Sequence, residues 1–188
     1  MHKLISSLVL VALTGACRAD TFEPALRLAL PDKVAGMSLV LSTRSVQTER
    51  GANYGWLSDD SEHTSGFVTV NVRGAEPIPD GIESPAIRGE FGERIAKIER
   101  KLPNGRGPDL IGPSDPRRTA YPGCGPQFLW TAYTSESDEG VKVWSVYLLA
   151  MNSHFVEVTT GYLADDETGR EVADRFVQEM RKVLGHCR

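Results

Sequence analysis

Hydrophobic residues recur with different periods along the chain, and each change of period marks an element. Val68, Val70 and Val72 alternate with Thr69 and Asn71, which predicts a strand over 66–73 with one buried face. An earlier strand is predicted over 37–45. After Ser84-Pro85, the residues Ile87, Phe91, Ile95, Ile98 and Leu102 recur at spacings of 4, 4, 3 and 4. That is the stripe of an amphipathic helix, with Ser84 as N-cap, Pro85 at the first helical position and Pro103 as the stop. Glu90 and Glu93 lie early in it and Arg94, Lys97, Arg100 and Lys101 late, an order that suits the helix dipole and reads as a solvated charged face, with an anion site at the basic end as the alternative.

Three more strands are predicted over 127–134, 141–151 and 154–162, joined by the acidic turn 135–140 and the short link Asn152-Ser153 as an antiparallel meander. The middle one is apolar on both faces, Val143, Tyr147 and Leu149 on one and Trp144, Val146 and Leu148 on the other, so it belongs in the centre of the sheet. Trp130, Trp144 and Tyr147 are assigned to the sheet core. The last helix carries Val172, Phe176, Val177, Met180, Val183 and Leu184 on one stripe, with Thr168 and Glu171 as a capping box and Gly185 as its stop. The order strand, strand, helix, loop, three strands, helix predicts an α+β single domain, a twisted antiparallel sheet with helices packed on it, over 20–188. Between the two halves, residues 103–126 hold six Pro and five Gly, a long turn-rich loop of a length that is often functional.

The first nineteen residues read differently. His2 and Lys3 precede an apolar run from Leu4 to Leu13, too short to span a bilayer, and small residues follow, the layout of a secretory signal peptide cleaved after Ala19 or after Ala16. Leu-Thr-Gly-Ala-Cys at 13–17 also resembles a lipobox, so acylation of Cys17 as a lipid anchor is an alternative. The signal points to an exported protein of the bacterial periplasm. No Asn-x-Ser/Thr sequon occurs, which agrees with that compartment. With Cys17 removed or acylated, Cys124 and Cys187 form an even pair under oxidising conditions and predict a disulfide, with two free thiols as the alternative. Closing a loop of about 60 residues contributes on the order of 4 kcal/mol in the chain-entropy account.

Lys plus Arg number 21 against 25 for Asp plus Glu, a net charge of −4, and this balance excludes a nucleic-acid surface resting on bulk positive charge. No Gly-x-Ser-x-Gly, Walker or His-Glu-x-x-His signature occurs and no CxxC pair, so the commonest hydrolase, nucleotide, zinc-protease and thioredoxin-like machineries lack their motifs. We expect no cofactor, metal or catalytic residue. Asp59, Asp60, Glu62 and His63 could supply oxygen and imidazole ligands to a hard cation but lack EF-hand spacing, and read as an acidic hairpin tip. Together with Tyr54 and Trp56 beside Gly55, residues Asp59, Asp60 and His63 are candidates for partner contact, although core packing competes for the two aromatics.

The run Leu30-Pro31, Gly36, Tyr54-Gly55, the valine strand, Gly74, Ile78-Pro79-Asp80-Gly81, Ser84-Pro85 and Glu90-Phe91 resembles an uncharacterised group of exported bacterial proteins. The element order resembles the PsbP/Mog1-like α/β/α sandwich. The resemblance implies a binding scaffold and carries over no catalytic residue; fold alone does not assign activity. The expectation is a non-enzymatic exported protein binding a protein partner or a small envelope ligand through the 103–126 loop and the 54–63 surface. A narrower form is an immunity or inhibitor protein whose acidic surface suits a basic toxin or enzyme. A hydrolase assembled from groups such as His154, Asp59 and Asp115, and an accessory subunit with an exposed apolar patch, are the competing classes.

Overall fold

A computed structural model describes residues 20–44, 51–71, 76–100, 107–115, 117–119 and 121–187. The predicted signal segment, Cys17, and the ends of several predicted elements, Ser45, Val72, Arg73 and Leu102, lie outside these residues.

The described residues begin with a small hairpin, β1 (Thr21–Glu23) and β2 (Leu28–Leu30). Next come β3 (Lys33–Val34), β4 (Met37–Arg44), β5 (Gly51–Ser58) and β6 (Ser65–Asn71), then α1 (Pro85–Glu99) and the short β7 (Asp109–Leu110) and β8 (Arg117–Arg118). The meander follows as β9 (Leu129–Ser137), β10 (Gly140–Met151) and β11 (His154–Leu163), and α2 (Glu167–Leu184) ends the fold. The main sheet, antiparallel at every pairing, runs β3-β4-β5-β6-β11-β10-β9-β7 among the described residues, with β8 also on β9. This is the predicted α+β domain. β10 lies in the sheet interior between β9 and β11, as its two apolar faces require, and Val146 through Ala150 are buried.

Register sorts the side chains into two faces. On one, Ala52, Tyr54 and Trp56 of β5 line up with Val70, Val68 and Gly66 of β6, then with Val156, Val158 and Thr160 of β11. α2 packs here through Phe176, whose ring sits 5.5 Å from that of Trp56. Gly66 makes the approach possible, because a Cβ there would lie 2.6 Å from the Phe176 ring. Leu26, Leu28 and Leu30 around the first hairpin complete this core. The other face carries Phe67 and Thr69 of β6, Glu157 and Thr159 of β11, Val146 and Leu148 of β10, and Tyr133 of β9. α1 packs mainly on its β9–β10 side. Beyond β11 no helix among the described residues covers that face, and Leu41 and Leu57 are 40% and 45% exposed.

Three expectations need correction. A third long strand, β5, precedes α1; its inward residues Ala52, Tyr54 and Trp56 alternate with Asn53, Gly55 and Leu57, a strand pattern hidden by two glycines and an asparagine. Asp166, not Thr168, caps α2, since its Oδ1 accepts the Gly169 N–H at 2.8 Å. Trp144 is half-buried at the rim of the open face, stacked on Tyr133 at 6.5 Å, rather than in the core. Ser84 caps α1 as expected, accepting the Ile87 N–H, and Ile87, Phe91, Ile95 and Ile98 are buried.

Cys124 and Cys187 form the predicted disulfide, with Cα atoms 6.0 Å apart. It joins the end of the long loop to the end of α2. Arg181 of α2, only 4% exposed, lies under that loop and donates to the carbonyls of Pro122, Gly123, Gly125 and Pro126 at 2.8–3.1 Å. Carbonyl dipoles surround a buried charge here, and the Tyr121 ring lies 5.8 Å from the guanidinium carbon.

Candidate functional site

The stripe that buries α1 has a charged margin. Glu90, Arg94, Lys97 and Ile98 fall at i, i+4, i+7 and i+8, so they share the side of the helix turned towards the sheet. Opposite them stand Glu157 and Thr159, two residues apart on β11, with Val146 on β10 and Tyr133 on β9. Arg94, Lys97, Ile98, Tyr133, Val146 and Glu157 are among the residues that line an open cavity of about 270 Å³.

Arg94 organises the inner wall. Its Nε lies 2.9 Å from Oε2 of Glu157 and 3.3 Å from Oε1 of Glu90, a single guanidinium between two carboxylates. The approach to Glu157 is off the line of the N–H, so the contact is Coulombic rather than an aligned hydrogen bond, and both atoms are closed to solvent. Burial pushes the Glu157 carboxyl above the ordinary carboxylate range; the charge of Glu90 adds to this, while Arg94, Thr159 and Lys97 oppose it. Burial likewise raises the Tyr133 hydroxyl, helped by Glu157 and opposed by Arg94, so it remains a protonated donor at neutral pH. Among the described residues the cavity holds no histidine, cysteine or serine. Its hydroxyls are a phenol and a threonine, and the Thr159 hydroxyl donates to Oε1 of Glu157 at 3.4 Å.

The chain matches no protein-family model and no curated protein sequence.

The residues singled out from sequence lie elsewhere, and they separate. Tyr54 and Trp56 are 3% and 0% exposed on the α2 face, where the Tyr54 hydroxyl donates to Glu23 and the Trp56 indole to the carbonyl of Pro31. In this packing they present no surface to a partner, because inward alternation on β5 claims both rings for the core. Asp59, Asp60, Glu62 and His63 do form the tip of the β5–β6 hairpin. Asp59 accepts from Lys33 at 3.0 Å and Ser38 at 2.9 Å, contacts that hold its carboxyl below the usual range. His63 faces Glu139 at 3.1 Å, so its ring and the Asp59 carboxylate serve different neighbours. Ser61 ties the same tip to α2 by donating to Asp166 at 2.7 Å.

His154 starts β11 with its Nδ1 2.6 Å from the carbonyl of Asn152, a strand-end histidine. His63 touches Glu139 just before β10, whereas His154 pairs with Met151 at the far end of that twelve-residue strand. At about 3.3 Å per residue the two are on the order of 35 Å apart, and neither lines the cavity. His154, Asp59 and Asp115, the groups named for a hydrolase, are not among the residues that line the cavity. The 103–126 loop is partly structured: β7 and β8 pair with β9, and Arg181 fixes 122–126. Pro108 from this loop reaches the cavity wall.

Proposed function

We propose that the protein is a non-enzymatic binding protein of an oxidising, exported compartment, and that its ligand seats in the cleft between α1 and the sheet. The observation that carries this reading is the cleft itself, a cavity with apolar walls into which a few convergent charged and hydroxyl groups project, with no histidine, cysteine or serine among its described lining. The Cys124–Cys187 disulfide supports export, and a bacterial periplasm is the compartment it suits. The element order and a helix on each face of the sheet support the PsbP/Mog1-like sandwich as the fold family.

The test is a native, non-reducing intact mass of the protein isolated gently after export, set beside that of Thr159→Trp. Thr159 is half-buried on the cleft wall, and an indole there fills the space. A small-molecule adduct present on the parent protein and lost in the variant is the expected result. An adduct retained by both places the ligand elsewhere and ends the reading.

A protein partner, as for an inhibitor or immunity protein, is the second reading. Val40, Leu41 and Leu57 at 60%, 40% and 45% exposure favour it, because they lie at or beside the uncovered end of the sheet. Serine substitution at all three positions lowers affinity for such a partner and leaves a cleft ligand bound.

A further inference from the structure

The donors in the cleft outnumber its accessible acceptors, and that asymmetry bears on what it binds. Arg94 approaches both Glu90 and Glu157 through Nε, at 3.3 and 2.9 Å. Its two Nη groups, four N–H donors in one plane, make no hydrogen bond to the protein among the described residues. The guanidinium is thus anchored from behind, with a fork left for the cavity, the geometry that recognises carboxylates in pairs of parallel bonds. Lys97 stands one turn further along α1 on the same wall, exposed and with no acid at ion-pair distance among the described residues. The Tyr133 hydroxyl adds a third donor. The acceptors are withdrawn: Oε2 of Glu157 is closed to solvent, and its other oxygen accepts from Thr159 at 3.4 Å.

Charge limits the ligand further. The Glu157 carboxylate lies 2.9 Å behind the fork at Arg94 Nε, so a second negative charge on a ligand meets it at close range, which favours a monoanion. The rest of the wall is apolar, from Ile98 and Val146. We propose that the cleft takes a small organic monoanion, a carboxylate on an apolar body of about the size of one ring or short alkyl chain. The carboxylate sits on the Arg94 fork and Lys97, and the body lies against Ile98 and Val146. The inference rests on the cleft being the binding site.

The test is NMR titration of the ¹⁵N-labelled protein with three probes, sodium benzoate, the isosteric neutral benzamide, and inorganic phosphate. Benzoate is expected to shift the Arg94 side-chain Nε–H and the amides of Ile98 and Thr159 saturably, with benzamide and phosphate each at least ten-fold weaker. Lys97→Gln is expected to weaken benzoate about three- to ten-fold with the rest of the spectrum unchanged; Arg94→Gln abolishes binding. Arg94→Gln also disturbs a buried ion cluster, so the exposed Lys97 variant decides the question if Arg94→Gln does not fold. Benzamide binding as well as benzoate overturns the anion class and leaves the cleft as a binding site. Phosphate binding as well as benzoate overturns the role of the apolar wall. No saturable shift at the cleft from any probe overturns both this inference and the reading beneath it.

Discussion

The two faces of the sheet follow opposite rules. On the α2 face, Trp56, Val68, Val158 and Phe176 are each essentially without exposure, and the polar group at the centre, the Tyr54 hydroxyl, is bonded to Glu23. On the α1 face the strands present Thr69, Glu157 and Thr159 at intermediate exposure, a cavity separates helix from sheet, and Leu41 and Leu57 at the far end are exposed. The same strands build both faces, alternating residue by residue, so the contrast comes entirely from which side chains point where. One face is closed by apolar burial; the other leaves charged groups incompletely solvated, and it is the face on which the proposed ligand seats.

The largest effect that sharpens this contrast is Trp56→Ala. Emptying a fully buried site beside Phe176 costs about 3–5 kcal/mol, read as a lowered urea midpoint, whereas Thr159→Ala on the other face stays within about 1 kcal/mol. A similar loss in both variants erases the division of labour. Next comes the disulfide. Replacing Cys124 and Cys187 together by Ala costs about 2–4 kcal/mol. Combining this with Arg181→Met costs more than the two separate losses, since each fixes the same 122–126 segment in the absence of the other.

Smaller is Asp166→Ala, which removes the α2 cap for about 1 kcal/mol. The Gly169 N–H and the Ser61 hydroxyl hold the Asp166 carboxyl below its unfolded value. Its contribution is therefore present above that value and fades as pH falls through the lowered folded one, and the difference between parent and variant closes in acid. Glu157→Gln reads the opposite sign. The native state keeps the Glu157 proton to higher pH than the unfolded chain, so the parent loses stability relative to the variant as pH rises from the ordinary 4.5 towards the raised native value. Urea midpoints across that range that run parallel for parent and Gln variant rule out a strained Glu157.

Local regularities made much of this fold legible. Ser84-Pro85 and the apolar stripe behind it located α1, the two-sided apolar run located β10 inside the sheet, and cysteine parity paired Cys124 with Cys187. β5 escaped because Gly51, Asn53 and Gly55 dilute its alternation, although Ala52, Tyr54 and Trp56 hold the period. The cleft escaped for a different reason. Glu90 and Arg94 look like an ordinary helix pair, and only the pairing of β11 beside β10 brings Glu157, more than sixty positions away, to 2.9 Å from Arg94. A lone Glu inside the apolar run 154–162 was the available signal, since strands rarely bury a carboxylate without a cation.

The end of α2 imposes a constraint of another kind. A Cβ on Gly185 would lie 2.6 Å from the Cα of Gly125, and one on Gly125 would lie 2.6 Å from the Arg181 carbonyl oxygen. Crowding at such a contact is ordinarily relieved by trimming the neighbour's side chain, but here the nearest atom at each position belongs to backbone. A larger residue at 125 therefore has no compensating change available at 185, nor the reverse. Substitution along this seam cannot proceed by paired exchange, and randomised libraries spanning both positions should return glycine at each.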